Sequence, residues 1–259
     1  MPRTDSIVIK GLSPALGAKV EGVDFRSPIT PKIVEQIHEA WMKYQVLVFP
    51  NQCVSDEQHV AVTRYFGEPE VFHQSIIKSK FVKEIFRVSN TDEAGNLMPP
   101  SDPVQQQLSS AKKWHTDSSY RLVPAMGSLL HGIEVSRTGG LTCFTNMYAV
   151  YEALPLNMRK MIDGKKCRHD FEHLSRITGA RKPTDDERAS MPAMWQPMVR
   201  KHPVTGRKSL YISPIYNDKI ENMNDDEAMS LINELAEFAG QDQFVYRHKW
   251  ETDDILMWD

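Results

Sequence analysis

A histidine and an aspartate stand two residues apart in the stretch WHTDSSY, Trp114 to Tyr120. On an extended backbone, side chains at i and i+2 point to the same side. His115 and Asp117 would then project together, with Thr116 turned away. An imidazole nitrogen and a carboxylate oxygen from one strand end can share an ion. That donor pair suits Fe(II), Mn(II) or Zn(II) better than Cu(I). One more histidine would complete a two-histidine-one-carboxylate set, which leaves positions open for substrate. Taken alone, the triplet reads more readily as a hydrogen-bonded polar turn. A rival pair is His169 and His173, whose spacing of four would put both on one face of a helix, as in zinc hydrolases. That motif calls for glutamate directly after the first histidine, and here Asp170 follows. The segment KKCRHDFEH also reads better as a strand, where residues four apart do not easily share an ion.

The elements that must position these groups alternate between short strands and a few helices. Thr30-Pro31 is a helix start: a hydroxyl cap, then a proline where its missing N–H costs nothing. Ile33, Ile37 and Trp41 follow at helical spacing. Val46 to Pro50 reads as a buried strand, and Ser55 with Gln58 as a capping box for a helix ending near Gly67. Further strands are expected at Ser6–Lys10, Glu84–Val88, Gly127–Val135, Leu141–Asn146 and Lys165–His173. Residues 90–110 contain Gly95, three prolines and three consecutive glutamines. They read as a loop running into WHTDSSY, in the position of a lid or entrance. Met147–Leu154 and Pro155–Ile162 read as short helices, and Arg176–Met194 as another loop. Val199–His202 and Ser209–Ile212 flank a turn and form a hairpin. Asn224 with Glu227 caps a helix carrying Met229, Ile232, Leu235 and Ala236, and Phe244–Trp250 and Ile255–Trp258 are final strands. Strands dominate the second half, with helices flanking them. That favours a mainly β sandwich or barrel with helical additions over a doubly wound sheet.

Composition narrows the function class. The 259 residues are 41% hydrophobic and 25% charged, which predicts a packed core; the length allows one large domain or two small ones, and a single domain spanning 1–259 is the expectation taken. A net charge of -3 with no clustered basic run argues against a nucleic-acid partner. The three cysteines, Cys53, Cys143 and Cys167, are far apart, so neither a disulfide framework nor a thiolate zinc site is expected. No leader pattern and no apolar run long enough for a membrane span are present, so the expectation is a cytoplasmic protein with no membrane partner.

Four ordered segments change the reading of the triplet. WHTDSSY, then GGLTCFTNMYAVYEALP (Gly139 to Pro155), HPVTGRKSLYIS (His202 to Ser213) and FVYRHKWETDDILMWD (Phe244 to Asp259) resemble the taurine and 2,4-dichlorophenoxyacetate dioxygenase family. WHTDSSY and HPVTGRKSLY are more similar to its aryloxyalkanoate branch. The resemblance implies a double-stranded β-helix (jelly roll) core and dependence on Fe(II), the cosubstrate 2-oxoglutarate and O2. It makes His115 and Asp117 metal ligands and Thr142, in the GGxT segment, a hydrogen-bond partner of the distal carboxylate of 2-oxoglutarate. Many members carry aspartate after the glycine pair. Here it is Leu141, expected to face away from Thr142 and to affect packing rather than chemistry. The family pattern continues past the WD pair to a histidine that is the third metal ligand and to an arginine that pairs with 2-oxoglutarate. Both are expected beyond Asp259, with the chain lacking its C-terminal end.

The implied activity is hydroxylation of a small organic acid. With an aryloxyalkanoate, hydroxylation at the ether carbon gives an adduct that collapses to a phenol and a 2-oxo acid. Such a substrate needs a cation for its carboxylate and apolar walls for its ring. Candidate cations are Lys112, Lys113 and Arg121, each of which reads first as solvent-exposed. His73, in FGEPEVFH, falls where the family places a substrate-facing histidine; the same position also suits a satisfied polar residue. The alternatives are a sulfonate (taurine-type) dioxygenase, disfavoured by Ala111 where that branch has a polar residue, and a non-catalytic jelly-roll binding protein. Homo-oligomerisation is expected from the family resemblance alone.

Overall fold

The computed structural model describes residues 6–71, 82–92 and 94–259. The first strands, β1 (Val8–Gly11) and β2 (Ala18–Glu21), form an antiparallel pair. Helix α1 (Pro31–Tyr44) starts as its sequence dictates: the Thr30 hydroxyl accepts from the Ile33 N–H at 3.4 Å, with proline in the first turn. It buries Ile33, Ile37, Ala40 and Trp41 and stops at Gln45, whose φ of 60° is left-handed. The turn feeds β3 (Val46–Phe49), buried at all four positions. Ser55 and Gln58 make the expected reciprocal cap on α2 (Asp56–Thr63).

Two later strands complete this layer. The sheet runs β1-β2-β3-β12-β4, with β4 at Ser128–His131 and β12 at Ile255–Trp258. Only β2 and β3 are parallel. Ala18, Val20, Leu47, Phe49, Ile255 and Met257 pack with Ile33, Ile37 and Trp41 of α1 in one core. Each fully buried Val, Leu, Ile, Phe or Met side chain among them stabilises the fold by about 1.5–3 kcal/mol. Gly127 enters β4 so close to Trp41 and the Trp258 carbonyl that a Cβ there would collide with both.

A second core lies around α8 (Asp225–Ala239), capped by the Asn224 side chain. Ala228, Leu231, Ile232 and Leu235 pack there with α4 (Met147–Ala153), α5 (Leu156–Ile162), Cys167 and Leu210. Three small sheets border it. One is β10-β6-β7, with β6 at Lys166–His169, β7 at Met194–Pro197 and β10 at Asn217–Ile220. The others are β5 (Thr142–Thr145) with β11 (Val245–His248), and the hairpin of β8 (Val199–Lys201) and β9 (Lys208–Leu210). The arrangement is sheet-rich with flanking helices, although helices hold more of the described residues than strands do. No described helix is long and apolar enough to cross a membrane.

Several expected loops and strands come out differently. The stretch 90–110 is not all loop: Asp102 caps a short helix, α3 (Pro103–Ser109). Residues 165–173 are not one strand. β6 ends at His169, and Asp170 caps α6 (Phe171–Thr178), a helix that buries Phe171 and Leu174. The loop expected at 176–194 holds α7 (Asp185–Ser190), started by a Thr184–Glu187 capping box that the polar composition hides. Residues 84–88 form turn and irregular backbone with an isolated bridge at Phe86 rather than a strand.

Two histidines make stability pH-dependent. Burial, with His131 nearby, pushes His59 down to about 4, and burial, with Arg200 nearby, pushes His169 down to about 4. Both are neutral when folded, while the unfolded chain binds their protons from about pH 6.5. Their stabilisation is therefore complete above that pH and is lost as pH falls from about 6.5 towards 4. Urea unfolding at pH 7.5 and pH 5 should differ by roughly 2 kcal/mol per histidine, and His59→Leu should remove about half of that difference.

Candidate functional site

The HxD segment has no regular structure of its own. After a 3-10 turn at Ser110–Lys112, the chain extends at Lys113 (φ −96°, ψ 150°), and residues 117–120 form a turn. Ser118 takes a φ of 50°, and its hydroxyl donates to Glu70 Oε2 at 2.8 Å. Neighbours supply what a sheet ladder would otherwise give. The Thr116 N–H donates to Ser213 Oγ at 3.0 Å, and the Thr116 hydroxyl to the Ile212 carbonyl at 3.3 Å. Ser213 is itself fully buried, with its N–H bonded to Asn217 Oδ1 at 2.6 Å. Downstream, Tyr120 sits in a small core with its ring 4.8 Å from both Phe171 and Tyr216.

This anchoring brings His115 and Asp117 together. His115 Nε2 lies 3.5 Å from Asp117 Oδ1. The other ring nitrogen, Nδ1, is 2.9 Å from the Lys113 carbonyl. A carbonyl only accepts, so Nδ1 carries the hydrogen and Nε2 is the nitrogen directed at the aspartate. The second carboxylate oxygen, Oδ2, accepts from the Ser128 hydroxyl of β4 at 2.7 Å. Burial alone would lower the pKa of His115, but the hydrogen bond and charge of Asp117 and the Lys113 carbonyl outweigh it and raise it. Burial alone would raise Asp117, yet His115 and Ser128 hold it below the usual carboxylate value.

Two donors about 2.1 Å from one ion stand about 3.0–3.4 Å apart for angles between octahedral and tetrahedral. The observed separation is within reach of that. Among the described residues, no three histidine, cysteine or acidic side chains are grouped to hold an ion. The rival pair does not form such a site. His169 closes β6 while His173 lies in α6, so the two share no helix face. His169 Nδ1 is instead 2.9 Å from Ser119 Oγ, and its ring stacks on Tyr211.

The remaining candidates are placed as follows. Thr142 opens β5 opposite His248, and its hydroxyl accepts from Trp250 Nε1 at 2.9 Å. Leu141 does not pack inward: it is exposed, after two glycines with left-handed φ. Lys112 and Lys113 are exposed beside His115. Arg121 is not a simple surface cation, since it pairs with Glu70 at 2.5 Å. His73 lies outside the described residues. Ser128, Ser213 and Trp250 complete the surroundings, and none carries a signal in the sequence, because their roles come from contacts far along the chain.

The profile of the family described as "Taurine catabolism dioxygenase TauD, TfdA family" matches residues 9–259. The alpha-ketoglutarate-dependent 2,4-dichlorophenoxyacetate dioxygenase of Cupriavidus pinatubonensis is 31% identical, over 98% of this chain and 89% of its own. The (S)-phenoxypropionate/alpha-ketoglutarate-dioxygenase of Sphingobium herbicidovorans is 31% identical, over 86% of this chain and 76% of its own. Among solved structures, AAD-2 in complex with Mn(II) and N-oxalylglycine superposes with a TM-score of 0.87 at 35% identity, covering 98% of this chain and 88% of the other.

Ser213 is the support whose removal isolates the segment. Ser213→Ala should leave the Thr116 N–H without its partner and cost about 1–3 kcal/mol. Urea denaturation should show the loss, and hydrogen exchange should show faster exchange at the Thr116 amide than in the unaltered protein.

Proposed function

The chain belongs to the TauD/TfdA dioxygenase family, and from that premise we propose that it is an Fe(II)- and 2-oxoglutarate-dependent dioxygenase hydroxylating a small organic acid. The observation that carries the proposal is the convergence of His115 Nε2 and Asp117 Oδ1 at 3.5 Å, with the opposite side of each group tied to a fixed partner. Imidazole and carboxylate are the donor types a ferrous ion takes. With its hydrogen on Nδ1, the ring offers the Nε2 lone pair to a metal. When bound, Fe(II) with 2-oxoglutarate and O2 supplies the oxidising equivalent, giving succinate, carbon dioxide and the hydroxylated substrate.

The protein's own residues orient and exclude. Ser128 fixes the rotation of the Asp117 carboxylate, and the Lys113 carbonyl fixes the His115 ring and its tautomer. The third ligand is proposed to be a histidine supplied from beyond Asp259. Trp258 of β12 pairs with Ser128 of β4, so the chain leaves β12 beside the strand residue that holds Asp117. Thr142 is the proposed partner of the distal carboxylate of 2-oxoglutarate. The five-stranded sheet and the smaller sheets are read as the jelly-roll core, within one domain.

For the substrate we take an aryloxyalkanoate, cleaved through hydroxylation at its ether carbon to a phenol and a 2-oxo acid. The support is the two phenoxyalkanoate-acting relatives at 31% identity. Lys112 and Lys113, exposed beside His115, are the proposed cations for its carboxylate. His73 remains a candidate there, and Arg121, paired with Glu70, would act only by sharing that charge.

Three measurements test this. With aryloxyalkanoates beside sulfonates, 2-oxoglutarate consumption should be accompanied by phenol release; hydroxylated sulfonate without phenol would overturn the substrate class. His115→Ala and Asp117→Ala should each abolish succinate formation and specific Mn(II) binding. Ser128→Ala, which removes only the support of Asp117, should weaken Mn(II) binding by about 10–100-fold.

A further inference from the structure

Thr142 is proposed to meet the cosubstrate, yet a hydroxyl can point its one hydrogen in several directions. It has one donor and two acceptor positions, and its rotation is free unless a neighbour fixes it. Here the neighbour is Trp250. The indole N–H can only donate, so in the 2.9 Å contact Thr142 Oγ1 must be the acceptor. The hydrogen of Thr142 is thereby turned away from Trp250 and kept for another acceptor.

The indole is itself held in place by its neighbours. His248, opposite Thr142 in the β5–β11 pair, presents its ring edge-on to Trp250 at 4.9 Å and 89°. His248 is buried, with Nε2 3.1 Å from Asp254 Oδ2 and Nδ1 3.1 Å from the Tyr246 hydroxyl. The turn after Trp250 is clasped to β4: Gly132 N–H donates to the Asp254 carbonyl, and the Asp253 N–H to the Gly132 carbonyl, both at 2.8 Å. Gly132 also makes room for the ring, since a Cβ there would stand 2.7 Å from Trp250 Cε3.

We infer that Trp250 is a positioning residue that holds the Thr142 hydroxyl as a hydrogen-bond donor to the distal carboxylate of a bound 2-oxo diacid. This rests on the reading of Thr142 given above. Trp250 touches neither the metal pair nor the substrate in this scheme. It acts on cosubstrate affinity through Thr142, and removing its N–H lets the hydroxyl rotate into orientations that do not donate.

Calorimetric titration of the Mn(II)-loaded protein with N-oxalylglycine tests this without turnover, with oxalate as control because it chelates metal but has no distal carboxylate. Trp250→Phe should weaken N-oxalylglycine about five- to tenfold, the scale of one ordinary hydrogen bond, and leave oxalate and Mn(II) affinity unchanged. Thr142→Val should weaken it at least as much, and the double variant no further than Thr142→Val alone. Gly132→Ala, which keeps the indole but displaces it, should fall between Trp250→Phe and the unaltered protein. Equal loss of oxalate binding in Trp250→Phe would mark a merely structural role and overturn the inference, as would additive losses in the double variant. Thr142→Val weakened with Trp250→Phe unaffected would overturn this inference alone. Thr142→Val without effect would overturn the assignment of Thr142 and this inference with it.

Discussion

A single hydroxyl, that of Ser128, ties the segment carrying His115 and Asp117 to the largest sheet. Its 2.7 Å bond to Asp117 joins a turn without secondary structure to β4, whose register with β12 is set by four paired residues. Rotation of a carboxylate is nearly free at the surface, so without that bond the oxygen near His115 would be one of many orientations. With it, the separation of the two donors follows from the position of a strand. Ser213 does the same for the backbone between them, from the other side of the molecule. The site therefore lies at a seam, with one anchor in the five-stranded sheet and the other beside β9 and β10.

That seam explains why both cores matter to the chemistry. The first is built from α1 against β2, β3 and β12, and it fixes β12, hence β4, hence Ser128. The second, around α8, buries Leu210 and Ile212 just before Ser213. The ring cluster of Tyr120, Phe171 and Tyr216 closes the gap below the turn. Close-packed interiors transmit small displacements rather than absorbing them. A change at either core should therefore be felt as a shift between His115 and Asp117 before the protein unfolds.

Much of this could be read from the sequence where a local signal carried it. The caps at Thr30, Ser55 and Asn224 are short-range chemistry and appear as expected, as do the strands at 46–49 and 255–258, whose apolar runs are unbroken. The helices α6 and α7 were hidden by neighbouring strand-like and polar residues, and β2, β7 and β10 by charged or irregular composition, because those strands are stabilised by their partners rather than by their own pattern. His115 and Asp117 were legible only as a pair of suitable types. That they converge depends on Ser128 and Ser213, 11 and 97 residues from the groups they hold. Leu141 turned out exposed because the two glycines before it take left-handed turns that carry the chain outward, a conformational choice that spacing alone does not specify.

The same physical device recurs at both ends of the site. Histidine and hydroxyl groups are ambiguous, able to donate or accept, and an active centre needs that ambiguity removed. Here each is set against a partner with one role. The Lys113 carbonyl only accepts, which places the hydrogen of His115 on Nδ1. The Asp117 carboxylate accepts, which makes Ser128 a donor. The indole of Trp250 only donates, which makes Thr142 an acceptor towards it and leaves its hydrogen for a ligand. Polarity fixed in advance costs no reorganisation when an anion or an ion arrives, which is the condition under which a fixed dipole contributes most to binding. It also means that substitutions preserving shape but not polarity, such as threonine to valine or tryptophan to phenylalanine, should act on ligand affinity while leaving the fold largely untouched.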